Sequence, residues 1–196
     1  VGFDIDGTLY PSYQMVFSAI TSFLGAPRLM LKFAEVRREI REITYDGELR
    51  DMQAILMARK LGVDQETAKR RIERELYRRW ERSFRFIRPF RGVRETLLSL
   101  RRGGYLLAAL SDFPVEDKLR YLGLEDLFDL AMSSEETGYL KPHEVPFLQL
   151  ARRMGVAPEE MLYGGNSAEY DVRGADAVGM KTAHIARGTN GESQAD

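Results

Sequence analysis

The apolar positions of this chain follow two rhythms. In the first ten residues, VGFDIDGTLY, Val1, Phe3 and Ile5 alternate with polar positions before Gly7-Thr8 breaks the run. That pattern predicts a short strand ending in a turn. From Pro11 to about Arg88 the spacing becomes helical. A first helix is predicted over 13–24, closed by Gly25-Ala26-Pro27, and Pro27 suits the first turn of a second. The apolar positions of the second (Leu31, Ala34, Ile40, Ile43) lead to Tyr45-Asp46-Gly47. A third helix over 49–61 is expected to turn Met52, Ile55, Leu56 and Leu61 inward and to end at Gly62. Asp64 is placed to cap a fourth, which reaches Phe84 with Ala68, Ile72, Leu76 and Trp80 on one stripe.

Beyond Pro89, helices alternate with short apolar runs. The pattern predicts a helix over 92–102, a strand over 105–110 ending in Ser111-Asp112, and a helix over 115–122. A strand near 130–132, the loop SSEETGYLKPHE and a helix to Met154 come next. The strand 161–163, the loop GGNSAEYD, a helix through 175–178 and a strand over 181–186 complete the order. Apolar strands separated by helices predict an α/β fold, a doubly wound parallel sheet buried on both faces. Residues 1–11 and 89–196 would form this core, and residues 12–88 a four-helix cap inserted after the first strand. Ligands of such sheets bind at the carboxyl ends of the strands, where the polar clusters fall.

Charge separates the same two parts. Residues 12–88 hold 17 Lys/Arg against 11 Asp/Glu, a balance of +6, and the remainder carries −7. The chain has no cysteine, which excludes a disulfide framework and points to a reducing compartment or to indifference to redox state. No apolar run approaches the roughly 18 residues of a membrane span. A soluble, cytoplasmic protein is expected. Val1 stands only three residues before Asp4, so a few natural N-terminal residues are expected ahead of it.

Residues i and i+2 of a strand share a face, so Asp4 and Asp6 are brought together where the first strand ends. Crowded carboxylates need a cation or a shared proton. The pair suits a nucleophile beside a proton shuttle with Mg²⁺ nearby; a plain surface strand closing in an Asp-Gly turn fits the ten residues as well. Ser111-Asp112 alone reads equally as a strand-to-turn junction, and Lys141-Pro142 alone as a solvated loop. His143 reads as a helix-start residue and His184 as structural.

FDIDGTL (3–9), LSDF (110–113), GYLKPHEVPF (138–147) and GGNSAEYDVRGADAVGM (164–180) occur in that order. Together they resemble the haloacid dehalogenase superfamily of phosphohydrolases, with a helical cap after the first motif. The resemblance implies Asp4 as the nucleophile that takes the phosphoryl group, and Asp6 as general acid and then base. It implies phosphate contacts from Ser111, Lys141, Thr8 and, in a supporting role, Asp112. Lys141 would also keep Asp4 ionised. Mg²⁺ would lie on Asp4, the Asp6 carbonyl, Asn166 and Asp171.

Asn166 departs from that pattern, in which phosphatases usually carry Asp, and it leaves Asp171 as the acid of the fourth motif. The expected activity is Mg²⁺-dependent hydrolysis of a small phosphate monoester. A sugar phosphomutase and a non-catalytic relative that binds a phosphorylated ligand are the alternatives; a dehalogenase would have no need of Asp6. The arginines of the cap (Arg37, Arg38, Arg41, Arg70, Arg71, Arg74, Arg78, Arg79, Arg82) alternate with Glu at helical ion-pair spacing, so a solvated face is expected rather than a nucleic-acid surface. A few of them facing the site to attract an anion is the lesser alternative.

Overall fold

The structure is a computed structural model that describes residues 1–16, 27–43, 45 and 47–186. Five parallel strands form one sheet in the order β3-β2-β1-β4-β5: β1 (Gly2–Phe3), β2 (Ala108–Ser111), β3 (Leu130–Ser133), β4 (Leu162–Gly165) and β5 (Lys181–His184). The first strand thus lies in the middle, with the ends of β2 and β4 on either side.

Neighbouring residues of β2 supply both faces. Ala109, with Leu107 just before the strand, packs with Ile5 and with Leu97, Leu119 and Leu122 of α5 (Val93–Arg102) and α6 (Glu116–Leu122). Ala108 and Leu110 pack on the other face, with Met132, Tyr163 and Phe147, Leu150 and Ala151 of α7 (Glu144–Met154). Period-two alternation under helices on both sides is the doubly wound arrangement.

Between β1 and β2 the chain makes a helical excursion. Residues 12–16 are helical, and the rest of the helix expected over 13–24 lies outside the described residues. Then come α1 (Pro27–Glu42) and α2 (Leu49–Leu61). The next helix, α3 (Gln65–Arg71), continues through a π-helical turn (Ile72–Tyr77) into α4 (Arg78–Ser83). Leu29, Phe33, Val36 and Ile40 of α1 meet Ala54 and Met57 of α2 and Ala68, Ile72 and Leu76 in a core of their own, which Leu140 joins from below. Gly62 ends α2 in the left-handed conformation, and Asp64 accepts from the Thr67 N–H at 2.8 Å to open α3. The excursion closes where it began: the Phe90 N–H donates to the Leu9 carbonyl at 2.9 Å and the Arg88 N–H to Gln14 Oε1 at 2.8 Å.

Three expectations are corrected. The second strand begins at Ala108, leaving Tyr105 and Leu106 exposed, because the Leu107 N–H is taken by Asp129 Oδ2 at 2.8 Å before the ladder starts. Ile55 does not face inward: α2 buries the arc of Leu49, Gln53, Ala54, Leu56 and Met57, and Ile55 falls on its far side. GGNSAEYD is not all loop. Its glycines end β4, and residues Ala168–Val172 form a π-helical turn capped by Ser167, followed by α8 (Arg173–Asp176).

Candidate active site

β1 stops at Phe3, and the Asp4 N–H makes the last bond to β4, donating to the Gly164 carbonyl at 2.9 Å. The chain then turns through Gly7 at φ +98°, where a Cβ would come within 2.5 Å of Ser12 Oγ and 2.6 Å of the Asn166 side-chain amide. Glycine is required there for its conformation and its lack of bulk. The turn folds Thr8 back so that its hydroxyl donates to Asp4 Oδ2 at 2.8 Å.

The two aspartates have separate counter-ions. Lys141, 3 % exposed, donates to Asp4 Oδ1 at 2.7 Å and to Asp171 Oδ1 at 2.5 Å. Asp171 Oδ2 in turn accepts from the Ser167 N–H at 3.0 Å. Asp6 Oδ2 accepts from Lys118 Nζ at 2.5 Å and Ser111 Oγ at 2.6 Å, and Asp6 Oδ1 from the Tyr10 hydroxyl at 2.5 Å. Lys118 is 1 % exposed and also donates to Ser111 Oγ at 2.8 Å.

Their proton affinities diverge as a result. Burial pushes the Asp4 carboxyl up to about 7 against the attraction of Lys141, with the charges of Asp171 and Asp6 adding to the rise. Burial also works to raise Asp6, but Lys118 and the hydroxyls of Ser111 and Tyr10 outweigh it and hold Asp6 below the usual carboxylate range. Lys141 keeps its proton far above the ordinary lysine range: Asp4 and Asp171 overcome the burial that would strip it.

Asn166 lies at the end of β4. With both ends of its amide satisfied, Nδ2 donates to the Asp6 carbonyl at 3.2 Å and to Asp4 Oδ2 and Thr8 Oγ1 at 3.3 Å each. Asp4, the Asp6 carbonyl and Asn166 therefore converge on one point, while Asp171 reaches Asp4 through Lys141.

Asp112 is committed to the protein. Its carboxylate accepts from Ser134 Oγ at 2.6 Å, from the Lys141 N–H at 3.0 Å and from Arg41. Burial would raise its carboxyl, but the charges of Lys141, Arg37 and Arg41 hold it low. Two cap arginines accordingly leave the solvated face expected of them. Arg37, 4 % exposed, donates to Glu135 and to the Asp112 carbonyl, and Arg41 donates to the Lys141 carbonyl at 2.8 Å and stacks over Tyr170. Arg38, Arg70, Arg74, Arg78 and Arg82 remain exposed.

Asp4, Asp6, Thr8, Ser111, Lys141, Asn166 and Asp171 thus form one cluster, with Asp112 at its edge. His143 caps α7, its Nδ1 accepting from the Val145 N–H, and His184 Nε2 meets the Asn166 carbonyl at 3.2 Å. Sequence reasoning missed Lys118, Tyr10 and Glu135, and set Arg37 on a solvated face, with a turn toward the site only the lesser alternative. Lys118 left a trace, because Val115, Lys118, Leu119 and Leu122 keep the i, i+3, i+4, i+7 spacing of a buried helix face. A lysine on such a stripe needs a buried anion.

Residues 1–179 match the model of haloacid dehalogenase-like hydrolases, and the chain belongs to that family. Its relatives include enzymes named for phosphate-ester hydrolysis. Over 195 residues it is 33% identical to the glyceraldehyde 3-phosphate phosphatase of Methanopyrus kandleri, an alignment covering 95% of this chain and 83% of that one. It is 29% identical to a phosphoglycolate phosphatase of Haemophilus influenzae, over 97% of this chain and 86% of the relative. A haloacid dehalogenase-like phosphatase from Thermococcus onnurineus shares the fold with a TM-score of 0.62 at 24% identity, covering 99% and 89% of the two chains. Among the described residues no helix is long and apolar enough to cross a membrane.

Proposed function

We propose that this protein hydrolyses a small phosphate monoester by transferring the phosphoryl group to Asp4 and then to water. The observation that carries this is the buried Asp4 carboxylate held by Lys141, with Asp6 two residues on beside Ser111. An Asp4 oxygen attacks phosphorus as the ester oxygen leaves with a proton from Asp6, and Asp6 then takes a proton from the water that opens the aspartyl-phosphate. The second step suits Asp6 as found, ionised by Lys118. The first needs its protonated form, so the Asp6 carboxyl has to loosen from Lys118 as substrate enters. Ser111 and Lys141 donate to the phosphoryl oxygens, where charge accumulates.

Mg²⁺ belongs to the same proposal. Asp4, the Asp6 carbonyl and Asn166 (with its amide turned to present oxygen) make an all-oxygen set of the kind this cation prefers, and Asp171 supports it from behind Lys141. Bound there, Mg²⁺ supplies positive charge against the phosphoryl oxygens. We further infer that residues 12–88 move as a cap on 1–11 and 89–196, hinged near Pro11–Ser12 and Arg88–Pro89; the separate apolar core of the inserted helices supports this. A cytoplasmic location is inferred from a chain without cysteine.

The test is a screen of phosphate monoesters with Mg²⁺ against wild type and Asp4→Asn. Wild-type turnover that Asp4→Asn abolishes supports the mechanism, and turnover that survives in Asp4→Asn rules out Asp4 as nucleophile. A protein that binds phosphate esters and hydrolyses none of them is the non-catalytic relative.

A further inference from the structure

Above the site, between α1, the segment running into α4 and the turn after β2, lies a cleft of about 270 Å³. Its walls include Phe33, Leu76, Trp80 and Phe113, with Arg37 and Arg41 on one side. The cleft adjoins the phosphate site: Phe113 follows Ser111 by two residues and donates its N–H to Ser111 Oγ at 3.2 Å. The Phe113 ring is fixed there by Trp80 stacked at 5.3 Å and by the Arg37 guanidinium 4.3 Å from its centre.

Both cations on the wall are already engaged. Arg37 is bonded to Glu135, the Asp112 carbonyl and Gln53. Each nitrogen of the Arg41 guanidinium has an acceptor as well: Nε the Lys141 carbonyl, and the other two the Arg37 carbonyl and the Asp112 carboxylate. A substrate carboxylate in this cleft would lose water and gain no uncommitted cation, whereas an apolar group would lose only unfavourable hydration. A dry apolar cavity of ~150 Å³ holds benzene, so one ring with a short linker fits here.

We propose that the organic part of the substrate is uncharged and apolar, of the size of a benzyl group, and that it lies against Phe113 and Trp80 while its phosphate reaches Asp4. This rests on the phosphatase assignment and deepens it: the preferred ester differs in class from the carboxylate-bearing and polar substrates for which the relatives are named.

Benzyl phosphate, ethyl phosphate and 2-phosphoglycolate, all esters of simple alcohols, provide the comparison. With Mg²⁺ present, kcat/KM for benzyl phosphate should exceed that for either of the others about 30-fold, the scale expected for filling an apolar pocket. Ala34→Phe, on the exposed side of α1 where it lines the cleft, should cut the benzyl-to-ethyl ratio about tenfold. Trp80 is the only tryptophan of the chain, so its emission reports on the cleft directly. In Asp4→Asn it should change saturably with benzyl phosphate, at concentrations at least about tenfold below those needed for 2-phosphoglycolate. Equal or better turnover of 2-phosphoglycolate, or a benzyl-to-ethyl ratio unmoved in Ala34→Phe, overturns the proposal. If none of the three esters is hydrolysed, the wider screen of phosphate monoesters decides the phosphatase assignment, and the Trp80 titration alone decides for or against an apolar ligand.

Discussion

Lys118 reaches across from α6 to place its ammonium 2.5 Å from Asp6 Oδ2, so the second aspartate of the turn has a buried cation of its own. Removing that charge while keeping the bulk, in Lys118→Met, takes away the main influence that lowers the Asp6 pKa. The acid limb of kcat, where opening of the aspartyl-phosphate needs ionised Asp6, should therefore move to higher pH, and kcat near neutrality should fall about 10- to 100-fold. A pH–rate profile checks both. An unmoved acid limb would mean that Lys118 serves the fold alone.

Asn166 brings a neutral amide where an acid would bring charge. At an effective dielectric near 20, a unit charge about 4 Å from another is worth roughly 4 kcal/mol before desolvation. Asn166→Asp should therefore bind Mg²⁺ at least several-fold more tightly than wild type, and Asp171→Asn more weakly. Calorimetric titration of the three proteins is the measurement. Weaker binding in Asn166→Asp would remove this residue from the cation site.

The Asp4 carboxyl, ordinarily near 3.8, is raised by burial to about 7 in the fold. A raised carboxyl favours folding while it is protonated. Its contribution is complete below pH 3.8 and is lost as pH climbs through 7, when an ionised group must be held in the interior. Chelated Asp4→Asn, with nothing there to ionise, should match wild type near pH 4 and exceed it above pH 7 by roughly 2–4 kcal/mol. Urea unfolding at pH 4.5 and 8 gives both values, and a gap that does not widen with pH would contradict the raised pKa.

The pair of Arg37 and Glu135 joins the inserted helices to the core at a point closed to water. Glu135 Oε2 has no hydrogen bond among the described residues, so this carboxylate depends on its ion partners. Arg37→Met should cost about 3–5 kcal/mol by leaving the buried Glu135 with only Arg50, 3.7 Å from its Oε2, as a cation partner, and Arg37→Met with Glu135→Leu should recover most of it. Thermal unfolding of both variants distinguishes this from a pair that contributes only packing.

Most of the sheet was legible because buried strands leave short apolar runs, and because Gly62, Gly103 and Asp64 mark helix ends by local chemistry. The cluster at the strand ends was legible mainly through the four motifs that resemble the haloacid dehalogenase superfamily: the spacing of Asp4 and Asp6 suggested paired carboxylates by itself, whereas Ser111 and Lys141 alone read as a turn and a loop. Lys118 and Arg37 were hidden by their surroundings. Both lie in helices crowded with charged residues, and pairing at i, i+4 accounts for an arginine beside a glutamate without calling on Glu135, 98 residues away. Strand ends were misplaced where a side chain intervened, as Asp129 does at Leu107. Period and propensity carry no signal for a ladder stopped by a carboxylate.

The helical excursion leaves the core at Leu9 and rejoins it at Phe90, and those two residues are hydrogen-bonded to each other. To the sheet, some eighty residues therefore present the ends of a tight turn. The entropy of closing such a loop grows only with the logarithm of its length, so the turn that carries Asp4 and Asp6 is indifferent to how much chain hangs between these two points. One set of aspartates can be inherited unchanged while the helices above it are lengthened, replaced or re-lined. The chemistry and the choice of substrate are then free to evolve at different rates.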